Sequence, residues 1–241
     1  MNHQGDYRSS HIQSGASYQE TYNSGYYRAQ WNAVERPLLA QQLKKYGGSD
    51  KSCLDFACGT GRITELCSAH FGSVVGVDVS LSMIEKIREL PRTRIYCRDI
   101  SIEPIDQKFD VATAFRFFLN AEDKLRREAI QAIYHCLNPD GIFISNIHMS
   151  STSPMGYMYG LSRILGKSNT HKTMRVTEYA KFLQSNGFTI VDSHYYSFLP
   201  RPGPLFPLTM EAALEPVERF CSRVPLIRPL AQCFLVVCRR T

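Results

Sequence analysis

From Ser52 to His148, short apolar runs alternate with segments of helical periodicity, and this alternation constrains the fold more than any other feature of the chain. The runs are SCLDFA (52–57), SVVGVDV (73–79), RIYCRDI (94–100), FDVATAF (109–115) and IFISNIH (142–148). They have strand length, and their apolar character suits burial on both faces of a sheet. Between them lie RITELCSAHF, a segment after Ser80 with Met83, Ile84, Ile87 and Leu90 on one face, and a segment after Asn120. In the last, Ile130, Ile133, Tyr134 and Leu137 form an i, i+3, i+4, i+7 stripe. Ser80 and Asn120 are the residues expected to cap these helices, and NPDG (138–141) reads as a turn. Two more runs, FTIVDSHYYSF (188–198) and AQCFLVVCRR (231–240), complete seven strands. The expectation is an α/β fold: a doubly wound, Rossmann-like, mostly parallel sheet with helices on both faces.

The ends of the chain read differently. Residues 1–17 form a loose tail, and Tyr18–Tyr46 is helical and rich in aromatics, with Tyr18, Tyr22, Tyr26, Tyr27 and Trp31. A Gly47-Gly48-Ser49 break suggests a boundary, with a leader over 1–50 and the main domain over 51–241. Residues 149–176 show no clear periodicity and are expected, with 200–230, to form lid insertions over the strand ends. Thr177 is the expected cap of a helix carrying Tyr179, Phe182 and Leu183, closed by Asn186-Gly187. LPRPGPLFP (199–207) is a proline-stiffened loop, and EAALEPVERFCSRV (211–224) a helix.

Charge is uneven. Residues 150–241 carry 11 Lys and Arg against 5 Asp and Glu, which accounts for the whole net charge of +6. That excess suits an anionic partner, or a solvated surface with no ligand. The eight cysteines form no C-x-x-C pair and lie at no metal-ligand spacing, so they read as free thiols, several in apolar runs, and no metal is expected. No apolar run approaches the ~20 residues that span a bilayer, and the polar N-terminus lacks a signal-peptide core. The expected setting is cytoplasmic.

The stretch CLDFACGTGRITE (53–65) places Asp55 ahead of a Gly59-Thr60-Gly61 turn at the end of the first strand. Glycines there let backbone N–H groups approach a ligand. Asp78 ends the second strand, where a carboxylate accepts from ribose hydroxyls. A dinucleotide fingerprint wants a third glycine where Thr64 stands, and the P-loop pattern is absent. Asp55 beside the turn would repel a pyrophosphate but suits a ligand carrying an amino group and a sulfonium.

LDFACGTGRIT, with VVGVDVS and CRDI behind it, resembles the class I S-adenosylmethionine-dependent methyltransferases over roughly residues 18–198. The D-x-G-x-G-x-G pattern is met at Asp55, Gly59 and Gly61, with Ala57 in place of the first glycine. The resemblance implies that Asp55 and the backbone at Ala57, Gly59 and Gly61 hold the methionine moiety of S-adenosylmethionine. It implies Asp78 on the ribose, Val79 and Met83 against the adenine, Asp99 on the adenine amino group and Ile100 on its ring. Phe115 and Arg116 would lie beside the methyl, and Tyr18 or Tyr22 would reach over the cofactor from the leader. Bland readings stay open: Asp78 and Asp99 as turn residues, Met83 as core, the tyrosines as packing.

For an oxygen nucleophile, His148 past the fifth strand is the first candidate base and His171 the second, with a structural hydrogen-bonded role for His148 as the alternative. Arg116 suits a carboxylate or phosphate on the acceptor. AFRF after the fourth strand departs from the box of nucleobase N-methyltransferases, which argues against DNA, and no added RNA-binding module supports RNA. The expected acceptor is a small molecule, with a hydroxyl of an anionic, glycan or lipid-linked metabolite in view. A silent cofactor-binding protein and an RNA methyltransferase remain the alternatives.

Overall fold

The computed structural model describes residues 25–166, 172–199 and 208–241. Its centre is a seven-stranded sheet in the order β3-β2-β1-β4-β5-β7-β6. The strands are β1 (Gly48–Phe56), β2 (Phe71–Asp78), β3 (Thr93–Cys97), β4 (Phe109–Ala114), β5 (Leu137–Ile147), β6 (Phe188–Tyr196) and β7 (Cys233–Arg240). β1 pairs in parallel with β2 and β4, β2 with β3, and β4 with β5, whereas β7 runs antiparallel to both β5 and β6. The sheet is therefore mostly parallel, with one reversed strand.

Strand alternation splits the apolar residues between two cores. Leu54, Ala112, Phe143 and Val236 face one side, with Ile130 and Ile133 of the helix Asp123–Cys136 and Tyr179 of the helix Val176–Gln184. Cys53, Val111, Ile144 and Leu235 face the other, with Leu39 and Leu43 of the leader and Ile63 and Cys67 behind the glycine turn. Each fully buried Leu, Ile or Phe side chain contributes about 1.5–3 kcal/mol. Both faces are thus covered, as apolar parallel strands require.

In chain order the helices are α1 (Gly25–Gln30), α2 (Arg36–Tyr46), α3 (Arg62–Ser68), α4 (Leu81–Ile84), α5 (Asp123–Cys136), α6 (Pro154–Ile164), α7 (Val176–Gln184) and α8 (Leu208–Arg223). A π turn, Trp31–Glu35, joins α1 to α2, with the Arg36 N–H donating to the Trp31 carbonyl five residues back. Pro37 lacks the N–H that an uninterrupted helix would use, and the wider turn absorbs that loss.

Several local expectations shift. α4 is a single short helix rather than a stripe reaching Leu90. Past it, the N–H groups of Lys86 and Ile87 donate three residues back, and only Met83 of the segment is buried. Asn120 does not cap α5: its amide donates to the Arg116 carbonyl at 2.8 Å, and Glu122 holds the cap position. Arg175, not Thr177, precedes α7. Gly48 already belongs to β1, so the Gly-Gly-Ser stretch enters the sheet. NPDG lies inside β5 as an irregularity: Leu137 pairs with Phe109 and Ile142 with Val111, and Asp140 takes φ 60° to allow it. Within 149–176 stands α6, capped by Ser153, whose Oγ accepts from the Gly156 N–H at 3.0 Å. Gly156 looks like a breaker in sequence but is a close contact: a Cβ there would sit 2.1 Å from the Ser150 carbonyl oxygen.

Candidate active site

Strand order reverses between β1 and β4, so the loops leaving their carboxyl ends diverge and open a crevice. A cavity of about 570 Å³ occupies it. That volume falls in the range of small-molecule sites.

The floor is the turn after β1. Ala57, Gly59 and Gly61 all take positive φ, at 54°, 55° and 82°. The Cys58 N–H donates to the Val77 carbonyl and the Gly61 N–H to the Cys58 carbonyl, both at 3.0 Å. Asp78 fastens the turn: one carboxylate oxygen accepts from the Gly59 N–H at 2.8 Å, the other from the Ser80 N–H at 2.9 Å. Ala57, Gly59, Thr60 and Asp78 line the cavity, as do Val79 and Met83 beyond β2. Gly61 does not line it. Gly61 opens α3 in a left-handed conformation, and a Cβ there would lie 2.8 Å from Ile87.

Asp55 is buried beneath this floor and reaches the cavity. Thr64 donates to one of its oxygens at 2.6 Å and Thr113 to the other at 2.8 Å. Burial drives its pKa up against those two hydrogen bonds, to about 6. A buried carboxylate under that strain gains from a cation.

Past the end of β3, Asp99 lines the cavity, with one oxygen accepting from the Ser101 N–H and hydroxyl. It thus holds its own turn as well. Ile100 is buried in the sheet core and is absent from the lining.

Phe115 and Arg116 follow β4, His148 follows β5, and all three line the opposite end with Asn120. Arg116 takes φ 59°. Its N–H donates to the Asn146 side-chain oxygen at 2.7 Å, and its guanidinium meets Glu35 at 3.0 Å. Glu35, on the leader's π turn, also accepts from Asn146 at 3.0 Å and from the Tyr196 hydroxyl at 2.8 Å. Burial alone would raise its pKa; the charges of Arg116 and Arg62 and the Tyr196 hydroxyl outweigh that and hold it below the usual range. Through Glu35 the leader is bolted to the ends of β4, β5 and β6.

That bolt brings Arg28, Trp31 and Asn32 of the leader to the cavity wall. The Arg62 guanidinium lies 4.2 Å from the centre of the Trp31 ring. Among the described residues, the lining draws on the leader, the ends of β1 to β5, the start of α3 and Leu125 of α5, and none of it on 149–176 or 208–230. Tyr18, Tyr22 and His171 lie outside the described residues, as does the loop 200–207. Glu35, Arg28 and Asn32 escaped the sequence reading. Nothing in a helical leader marks an isolated carboxylate as buried, and only the aromatic cluster around Trp31 signalled that this segment carries more than packing.

The donor set fits a cationic nucleoside. Carboxylates stand at the buried floor (Asp55), the end of β2 (Asp78) and the end of β3 (Asp99), with Val79 and Met83 as apolar walls. Residues 53–141 match the family model described as a methyltransferase domain. Over that stretch the chain carries a methyltransferase domain, and the strand order and carboxylate cradle suit S-adenosylmethionine, the cofactor of such domains.

Among curated proteins, a ubiquinone biosynthesis O-methyltransferase from Coxiella burnetii is 27% identical over 180 residues, covering 68% of this chain and 75% of that protein. The protein 235L of Invertebrate iridescent virus 6, which carries a provisional methyltransferase name, is 39% identical over 70 residues, 28% of this chain. That match spans only 26% of the viral protein's own length. Among solved structures, a magnesium protoporphyrin IX methyltransferase from Synechocystis with bound S-adenosylhomocysteine superposes with a TM-score of 0.67 at 12% identity, over 97% of this chain and 98% of that one. At that identity the likeness is one of fold.

Proposed function

We propose that this protein methylates a hydroxyl of a small-molecule acceptor, with His148 as general base. The observation that carries this reading is the single cavity that joins the Asp55–Gly59–Asp78 cradle to His148, Arg116 and Asn120. The Coxiella burnetii relative, named for O-methylation, supports an oxygen acceptor.

When bound, S-adenosylmethionine supplies a methyl group made electrophilic by its sulfonium. This chain's residues supply position, dryness and a proton acceptor. Asp55, Gly59 and Asp78 fix one end of the cavity, and Phe115 and Phe117 exclude water from the other. His148 would accept the proton that the acceptor hydroxyl sheds. Glu35 already matches the charge of Arg116, so in this reading Arg116 frames the cavity and an acidic acceptor group is left to Arg28, which also lines it.

Turnover of hydroxylated acceptors by the full chain tests the proposal. His148→Ala should lower kcat by a factor on the order of 10²–10⁴ with cofactor affinity kept, and wild-type kcat should rise with pH as the imidazole loses its proton. Unchanged kcat in that variant would remove the general base and point to an amine or an already ionised oxygen.

A further inference from the structure

Helix α6 turns its apolar side to solvent. Gly156 is its only buried residue. Tyr157, Met158, Leu161, Ile164 and the adjoining Leu165 are between 58% and 83% exposed. Their spacing, i, i+1, i+4, i+7 and i+8, puts them on one helical face. At the foot of the helix, the Thr152 hydroxyl donates to the Pro229 carbonyl at 2.5 Å, which brings the exposed Leu226 and Leu230 to the same end. Scattered exposed apolar side chains are ordinary, whereas a contiguous face of this kind marks an interaction surface.

The charge around this face identifies what it meets. From Gly141 to Thr177 the sequence contains no Asp or Glu, while Arg163, Lys172 and Arg175 supply positive charge. Arg223 and Arg228, beside the Leu226 turn, are exposed as well. A second copy of the chain would set this positive surface against itself, since a twofold interface pairs like with like. An anionic bilayer complements both the apolar face and the charge.

We propose that α6, with the turn around Leu226 and Leu230, docks this protein peripherally on anionic lipid membranes, laying its apolar face at the boundary between headgroups and acyl chains. No described helix is long and apolar enough to cross a membrane, so the attachment is interfacial. His148 precedes α6 by only six residues, so docking holds the acceptor end of the cavity close to the bilayer, where an amphiphilic acceptor resides. That consequence rests on the methyltransferase reading; the docking itself does not.

The test is co-sedimentation of the full chain with vesicles of phosphatidylcholine alone or mixed with phosphatidylglycerol. The wild type should bind the mixed vesicles in preference, and added salt should release it. Leu161→Ser with Ile164→Ser should lower binding by at least about tenfold, because two apolar anchors leave the interface. S-adenosylhomocysteine binding by the variant reports that the fold is intact; Ile164→Ser alone replaces the pair if it is not. Equal binding to both vesicle types, or binding indifferent to these substitutions, would overturn the proposal. So would a concentration-dependent dimer that the substitutions dissolve in a protein that ignores vesicles. Loss of S-adenosylhomocysteine binding by the wild type would strike the methyltransferase reading and leave docking standing.

Discussion

Glu35 and Arg116, 81 residues apart in sequence, meet at 3.0 Å with side chains only 3% and 10% exposed. This ion pair ties the leader to the crevice between β1 and β4, and it turns a helix outside the sheet into a wall of the active-site cavity.

Removing one partner of such a pair strands the other. Glu35→Gln keeps the side chain's size and its hydrogen-bonding carbonyl but leaves a buried guanidinium unmatched, and should cost about 3–5 kcal/mol. Glu35→Gln with Arg116→Met should recover much of that loss. A double-mutant cycle by urea denaturation measures the coupling; additive effects would mean the two side chains are independent.

Asp55 should make cofactor binding pH-dependent. Its pKa in the protein is raised from 3.8 to about 6, so the folded state holds the proton that the unfolded state has already lost. Its contribution to stability is full below its unfolded value and is lost as pH rises through about 6, a penalty of about 3 kcal/mol at neutral pH. A bound cation should offset that penalty and pull the pKa down. Calorimetry near pH 6 in buffers of different ionisation enthalpy should therefore show proton release on S-adenosylmethionine binding. Asp55→Asn should abolish the release, weaken binding and stabilise the ligand-free protein at neutral pH. Equal proton release by the variant would assign it to another group.

Ala57 stands at φ 54°, where a Cβ is strained. Ala57→Gly should relieve that strain and stabilise the protein by about 0.5–1 kcal/mol, after the greater chain entropy of glycine is deducted. Thermal denaturation measures this. A lower Tm would mean that neighbouring contacts, not the turn itself, hold Ala57 in place.

The parts of the molecule legible in sequence were those governed by local pattern. Both-face burial left its mark in SVVGVDV and IFISNIH, and the backbone demand of the turn left its mark in Gly59 and Gly61. Asp55 and Asp78 follow from the strand-and-turn pattern and Asp99 from the family resemblance, and all three line the cavity. What stayed hidden depends on long-range contact. Glu35 looks like any helical carboxylate until Arg116, Asn146 and Tyr196 converge on it. Helix α6 was masked by Pro154, Gly156 and Gly160, which read as breakers; Pro154 opens its first turn, and Gly156 lets it pack on Ser150. Ile100 sits at the right place along the chain, but its side chain turns into the sheet core.

The most direct test of the account is calorimetric titration of the full chain with S-adenosylhomocysteine, alongside Asp78→Ala. The wild type should bind at micromolar concentrations, ignore NAD and gain about 2.7 kcal/mol of stability at 100 times the dissociation constant. Asp78→Ala should keep the fold and lose most of that affinity, because Asp78 both faces the cavity and fastens the Gly59 turn. Absence of heat and of any thermal shift in the wild type would contradict the assignment of this cavity to S-adenosylmethionine.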